Sequence, residues 1–126
     1  MQEKKTVLLI DDDPEEFELF CVALEDYNSN LSCIHAKDVD DLYGALKGKQ
    51  IDYIFLDFNL PQKNGFECLK LIKDVVHLNN LPIYMFSASV INKEIEVLCM
   101  ETGATKWIRK PKTLKGYFEI FGEVFI

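Results

Sequence analysis

The sequence predicts a three-layer α/β fold, a five-stranded parallel sheet doubly wound with helices on both faces. Three observations lead there. Short runs rich in β-branched and aromatic residues recur five times, and the segments between them change to helical spacing. The first run, Val7 to Ile10, is apolar without alternation, as a strand covered on both faces should be. Strict alternation of strand and helix implies right-handed crossovers, hence parallel strands. At 126 residues and 48% hydrophobic content the chain is sized for one core, so residues 1–126 are expected to form a single domain.

Each element follows in order. After Val7 to Ile10, a helix is predicted over Pro14 to Tyr27, where Phe17, Phe20, Cys21 and Leu24 fall at i, i+3, i+4 and i+7 and form one apolar stripe. Leu31 to Ala36 reads as the second strand, and Val39, Leu42, Tyr43 and Leu46 mark the second helix. Asp52 to Leu56 is the third strand. Asn64-Gly65 after Pro61 supplies turn chemistry leading into a third helix marked by Phe66, Leu69, Ile72 and Val76. Ile83 to Ser87 is the fourth strand, and Ile91, Ile95 and Leu98 mark a fourth helix ending near Gly103. Lys106 to Arg109 is the fifth strand. Leu114, Phe118, Phe121 and Phe125 keep helical spacing, although Gly116 and Gly122 each cost roughly 0.5–1 kcal/mol relative to Ala, which packing must offset. With Tyr117 added, these aromatics exceed one narrow stripe. Core packing is the simpler assignment, and an interface the alternative for part of the set.

The totals narrow the function. Fourteen basic against twenty-one acidic residues give a net charge of −7, the wrong sign for gripping nucleic acid or anionic lipid. A protein partner or small ligand fits better. No apolar run approaches transmembrane length, and Met1-Gln-Glu-Lys-Lys leads into a strand instead of a signal peptide, so a cytoplasmic location is expected. Cys21, Cys33, Cys68 and Cys99 form no CxxC pair and read as buried thiols, neither a zinc site nor a disulfide framework. His35 and His77 lack a spaced ligand partner and read as structural side chains.

Ligands in sheets of this kind bind outside the carboxyl ends of the strands. Asp11 and Asp12 follow the first strand, Asp57 the third, and Lys110 the fifth, while Ser87 closes the fourth. If strands one and three are neighbours, three carboxylates converge on one pocket beside a hydroxyl and an ammonium group. Like charges raise one another's pKa unless a cation or hydrogen bonds offset them. Hard oxygen donors suit Mg²⁺, which commonly takes one or two carboxylates plus waters and a phosphate oxygen. The implied chemistry is phosphoryl transfer. Arg109 and Lys112 are alternative cations, but the strand-end position before Pro111 selects Lys110. Asp13 reads differently, as an N-cap with Pro14 at N1 and the acidic Glu16 at N3. Two of the three consecutive acids are thus assigned to a metal and the third to the helix.

In "LLIDDDP", "YIFLDFNLPQKNG", "MFSAS" and "GATKWIRKP" the sequence resembles the receiver domains of two-component response regulators, over nearly the whole chain. The resemblance implies a flavodoxin-like (βα)5 sandwich with strand order 2-1-3-4-5. It implies that Asp57 is the phosphoacceptor, its carboxylate attacking phosphorus to form an acyl phosphate. Asp12 would ligate Mg²⁺ directly, Asp11 largely through a coordinated water, and the backbone carbonyl of Asn59 would add another oxygen, with Mn²⁺ as a substitute ion. Lys110 would pair with phosphoryl oxygens from a cis Lys110–Pro111 bond. Ser87 would donate a hydrogen bond to the phosphoryl group, where a strand-capping role is the plainer alternative, and the small Ala88 would leave access.

The same resemblance makes Ser87 and Trp107 the moving parts of a switch, in which the family more often carries Tyr or Phe at the aromatic position. A packing role is the alternative for Trp107. Implied partners are a sensor histidine kinase or histidine phosphotransfer protein, and a downstream protein meeting the fourth helix, fifth strand and fifth helix, with a homodimer as an option. Because no DNA-binding segment precedes Ile126, the output is expected to be a protein contact, onward relay of phosphate, or that of a domain excised from a longer protein. Such a chain is a signalling phosphoacceptor and catalyses only its own phosphotransfer and slow dephosphorylation. Two rivals remain. A haloacid-dehalogenase-type phosphatase would use Asp11 of the D-x-D as nucleophile, but usually wants Thr or Val where Glu15 stands. A receiver-like binding module would take no phosphate, against which intact Asp11, Asp12, Asp57, Ser87 and Lys110 argue.

Overall fold

The computed structural model describes residues 4–46, 48, 50–60, 63–75, 80–88 and 92–125. Val7, Leu8, Leu9 and Ile10 are all buried because alternate side chains enter two different cores. They belong to β1 (Lys5–Ile10), an interior strand of a five-stranded sheet with β2 (Leu31–Ala36), β3 (Tyr53–Asp57), β4 (Ile83–Ser87) and β5 (Lys106–Arg109). All pairings are parallel, in the order β2-β1-β3-β4-β5, as the resemblance implies. The connections are α1 (Pro14–Tyr27), α2 (Val39–Leu46), α3 (Gly65–Lys73) and α4 (Lys93–Thr102), and α5 (Leu114–Val124) follows β5. No described helix is long and apolar enough to cross a membrane.

On one face, Leu8, Ile10, Ile54, Leu56 and Met85 pack with Leu42 of α2, Leu69 and Ile72 of α3 and Cys99 of α4. On the other, Val7, Leu9, Phe55 and Phe86 pack with Phe20 and Leu24 of α1 and Tyr117 and Phe121 of α5. Phe20 is the hub of that face, with ring centroids 5.1 Å from Phe55 and 5.4 Å from Phe121, both edge-on. Two of the α5 aromatics are core. Tyr117 and Phe121 are buried, and Phe118 and Phe125 close on Tyr27 at 6.1 and 6.4 Å, which offsets the two glycines that α5 runs through.

Several boundaries depart from the sequence reading. β1 begins at Lys5, because Lys5 and Thr6 continue the ladder opposite Leu31 and Ser32. β3 begins one residue later than predicted, since the Asp52 carboxylate accepts the Thr6 N–H at 2.8 Å, and it carries Asp57 as its last residue, opposite Phe86. α4 ends where expected, on Gly103 at φ 117°, which an L side chain rarely adopts. Cys68 and Cys99 are buried as expected, but Cys21 and Cys33 are half-buried because α1 meets β2 at the sheet edge; all four are free thiols. Pro61, Val76, His77 and Ile91 lie outside the described residues, as does the burial of Val39, Tyr43 and Leu46.

Candidate functional site

Parallel strands end together, so the carboxyl ends of β1, β3, β4 and β5 share one edge, where a cleft of about 480 Å³ opens. Its lining includes Asp11, Asp12, Asp57, Asn59, Ala88 and Lys110 from the predicted set, together with Asp13, Pro14 and Glu16. Ser87 reaches the same edge but is fully buried beneath it. The sequence-predicted residues are thus brought together.

Asp11 is 1% exposed and tightly held. Its Oδ1 accepts the Asp13 N–H at 2.9 Å, its Oδ2 lies 3.0 Å from Lys110 Nζ, and its backbone carbonyl is 2.6 Å from His35 Nε2. Asp57 is 4% exposed; Oδ1 accepts the Asn59 N–H at 3.0 Å and Oδ2 lies 3.3 Å from Lys110 Nζ. Burial pushes the Asp57 carboxyl above its ordinary value, against the opposing pull of the Asn59 N–H and Lys110. One carboxylate oxygen each from Asp11, Asp12 and Asp57 lies within 4.8 Å of the others. In an octahedral Mg²⁺ shell with bonds of about 2.1 Å, ligand oxygens sit about 3.0 Å apart when adjacent and about 4.2 Å when opposite. At least two of the three oxygen pairs must be adjacent in such a shell, so the carboxylates hold a small divalent cation after closing by up to about 1.8 Å, and Asn59, whose carbonyl was assigned to the metal, stands at the same cleft.

Lys110 is the common cation. Burial alone would lower its pKa, but Glu16, Asp57 and Asp11 together raise it well above the ordinary lysine value. Its Nζ contacts all three carboxylates and stands 5.7 Å from the Phe86 ring centroid. Its backbone N–H donates to the Ser87 carbonyl at 2.7 Å, which fixes the start of the chain segment after β5. The cis Lys110–Pro111 bond implied by the resemblance is not found, for the described residues contain no cis peptide. Trans is the intrinsically favoured isomer of X–Pro by about 0.5–1 kcal/mol, and Lys110 reaches the carboxylates from it.

Asp13 caps α1 as predicted, accepting the Glu15 N–H at 2.9 Å. Glu16 does not turn back to the cap, because the Asp13 N–H is already taken by Asp11; it pairs with Lys110 instead. Burial and the neighbouring Asp11 carboxylate raise Glu16 to about 7, against the pull of Lys110. His35 likewise is more than a strand residue. It stacks on Phe17 at 4.4 Å and 13° and braces the Asp11 backbone. Gly65 follows Asn64, which caps α3, and an added Cβ would stand 2.6 Å from the Phe58 Cα, so the turn after β3 needs the missing side chain. Trp107 is half-buried, 5.3 Å from the ring of Phe58, the residue after Asp57.

Compared with known proteins, residues 7–119 match the response regulator receiver domain. The phosphate regulon transcriptional regulatory protein PhoB of Pseudomonas aeruginosa is 29% identical over 107 residues, 85% of this chain and 45% of that protein. The protein-glutamate methylesterase/protein-glutamine glutaminase of Clostridium acetobutylicum is 35% identical over 112 residues, 87% of this chain and 32% of that protein. The chain therefore spans about half, or less, of the length of these relatives. Among solved structures, the phosphorylated cyanobacterial phytochrome response regulator RcpA superposes with a TM-score of 0.80 at 24% identity, covering 95% of this chain and 90% of its own. The Mn²⁺-bound response regulator Rcp1 does so at 0.78 and 23%, covering 95% and 91%.

Proposed function

The chain belongs to the response regulator receiver family, and on that premise we propose that Asp57 accepts a phosphoryl group in a two-component phosphorelay. The observation that carries this is the setting of Asp57: buried, aimed by the Asn59 N–H at 3.0 Å, and 3.3 Å from an ammonium group. A carboxylate oxygen of Asp57 attacks the phosphorus of a phosphohistidine; the new P–O bond forms as the P–N bond breaks, and the departing imidazole takes up a proton. Lys110 neutralises the phosphoryl oxygens and Ser87 donates a hydrogen bond to them.

Asp12, Asp57 and the Asn59 carbonyl would hold Mg²⁺ or Mn²⁺, with Asp11 acting largely through a coordinated water, and the ion would supply charge neutralisation for a transfer that depends on positioning more than on covalent elaboration. The phosphorylated state of RcpA and the Mn²⁺ of Rcp1 support this for their own chains. Residues 1–126 act as one receiver unit, in the cytoplasm, fed by a sensor histidine kinase or a histidine phosphotransfer protein. Phosphorylation shifts Ser87 and Trp107 and alters the α4–β5–α5 surface, where Val97, Leu98, Met100 and Leu114 are exposed apolar side chains suited to a protein target or a second copy.

The test is Mg²⁺-dependent labelling by acetyl phosphate followed by borohydride trapping. Label at Asp57, lost in Asp57→Asn, is expected. Label at Asp11 would favour the phosphatase alternative, and no label at all would favour a binding module.

A further inference from the structure

An ammonium group has three N–H donors. Those of Lys110 face Asp11 Oδ2 at 3.0 Å, Asp57 Oδ2 at 3.3 Å and Glu16 Oε2. A phosphoryl oxygen arriving at Lys110 must therefore replace or share one of these anions. Two of them are committed elsewhere. Asp11 is bonded to the Asp13 N–H and stands with Asp12 and Asp57 in the group suited to a cation. Asp57 is itself the acceptor, and its charge passes onto the phosphoryl group when the P–O bond forms. Glu16 lies outside that group and on the solvent side of the cation, its side chain 37% exposed where that of Lys110 is 9% exposed. As the third residue of α1 it can leave Lys110 for water at little cost, since a carboxylate is favourable anywhere in the first helical turn.

We propose that Glu16 is a resident counter-anion of Lys110 that the phosphoryl group displaces, and that it sets how readily the site admits an anionic phosphodonor. This rests on the phosphoacceptor reading of Asp57. It makes Glu16 a positioning residue, acting through Lys110 and touching neither metal nor acceptor. Two effects of opposite sign follow from Glu16→Gln. The bond from Lys110 to a carboxylate becomes one to a neutral amide that a phosphoryl oxygen displaces more easily, so anionic donors and mimics bind better. The ammonium group then leans harder on Asp11 and Asp57, so the divalent cation binds worse. A purely structural role would move both in the same direction or neither.

The experiment uses the full chain, wild type and Glu16→Gln. Mg²⁺ is titrated first and beryllofluoride second, at saturating Mg²⁺, with acetyl phosphate labelling alongside. Expected for the variant are weaker Mg²⁺ binding, beryllofluoride binding tighter by about three- to ten-fold, the scale of the difference between a hydrogen bond to a charged acceptor and one to a neutral acceptor, and faster labelling. In a Lys110→Gln background the gain should vanish. Equal or weaker beryllofluoride binding by Glu16→Gln, with wild type binding it and taking label at Asp57, would overturn the proposal. So would a gain that survives loss of Lys110, which would signify simple charge repulsion. Failure of both proteins to take label would overturn the phosphoacceptor reading, and this inference with it.

Discussion

Asp57→Asn is expected to stabilise the metal-free protein, although it removes the proposed acceptor. The variant keeps shape and removes one charge. With an effective dielectric constant near 20, Lys110 at 3.3 Å attracts an ionised Asp57 by about 5 kcal/mol, and Asp11 and Asp12, within 4.8 Å, repel it by about 3.5 kcal/mol each, leaving about 2 kcal/mol of net repulsion. Exposure of Asp12 and the Asn59 hydrogen bond reduce that figure, and burial adds to it, so a gain of about 1–2 kcal/mol is expected at pH 7, or about 3–10 °C in Tm for a chain of this size. The sign with pH is fixed by the raised folded pKa of Asp57. A carboxyl raised on folding costs stability above its folded pKa and costs nothing below its unfolded one, so the gap between variant and wild type must close as pH falls through the carboxylate range. Mg²⁺ should narrow or invert it, because wild type has the full ligand set and gains more by mass action. Thermal unfolding in EDTA and in Mg²⁺, at pH 7 and at pH 4, measures all four corners. A variant no more stable than wild type in EDTA at pH 7 would refute the charge balance drawn here.

Three further outcomes are expected. Phe20→Ala, which empties the hub of the α1–α5 core, should cost about 3–5 kcal/mol in urea unfolding, and a loss below about 1 kcal/mol would contradict the packing described. Asp13→Ala removes the α1 cap and should cost about 1 kcal/mol, read as a lower urea midpoint at unchanged slope. Trp107 is the sole tryptophan, so beryllofluoride with Mg²⁺ should change its fluorescence as the ring moves against Phe58; an unchanged spectrum with beryllofluoride bound would assign Trp107 to packing alone.

What the sequence makes legible follows from regular geometry. Alternating periods identify a parallel sheet, and a parallel sheet brings its strand ends together, so Asp11, Asp12, Asp57, Ser87 and Lys110 could be grouped before any contact was known. The bounds of β2, β4, β5 and α1 were readable because turn residues and caps punctuate them. Glu16 was not readable in its real role. Its local pattern is that of a residue at N3, while its partner Lys110 lies 94 positions away, beyond any helical or strand period. His35 was missed for a related reason: its bond to the Asp11 carbonyl spans 24 positions and depends on the β1–β2 register that sets Ile10 opposite Ala36. A histidine ending the strand beside an acidic loop is the signal that could have marked it. The trans Lys110–Pro111 bond has no sequence signature, since proline permits both isomers.

The same geometry would let so small an adduct as the proposed phosphoryl group act on a surface. Hydrophobic stability resides in two cores that are complete without the cleft, so the carboxyl edge can carry an unfavourable charge cluster without unfolding the sheet. Lys110 joins the end of β5 to α1, the end of β1 and β3 across that edge, and its backbone N–H is fixed to the end of β4. Trading Glu16 for a phosphoryl group, as proposed, would change the partners of that lysine and leave the core packing in place. Trp107, three residues earlier, on β5 and against Phe58 beside Asp57, is where such a change would reach the outer surface first. On the proposed switch, an electrostatic exchange at one end of β5 would be read as an aromatic rearrangement along it, which requires only that the Trp107 ring have a second resting place within a few kcal/mol of the first.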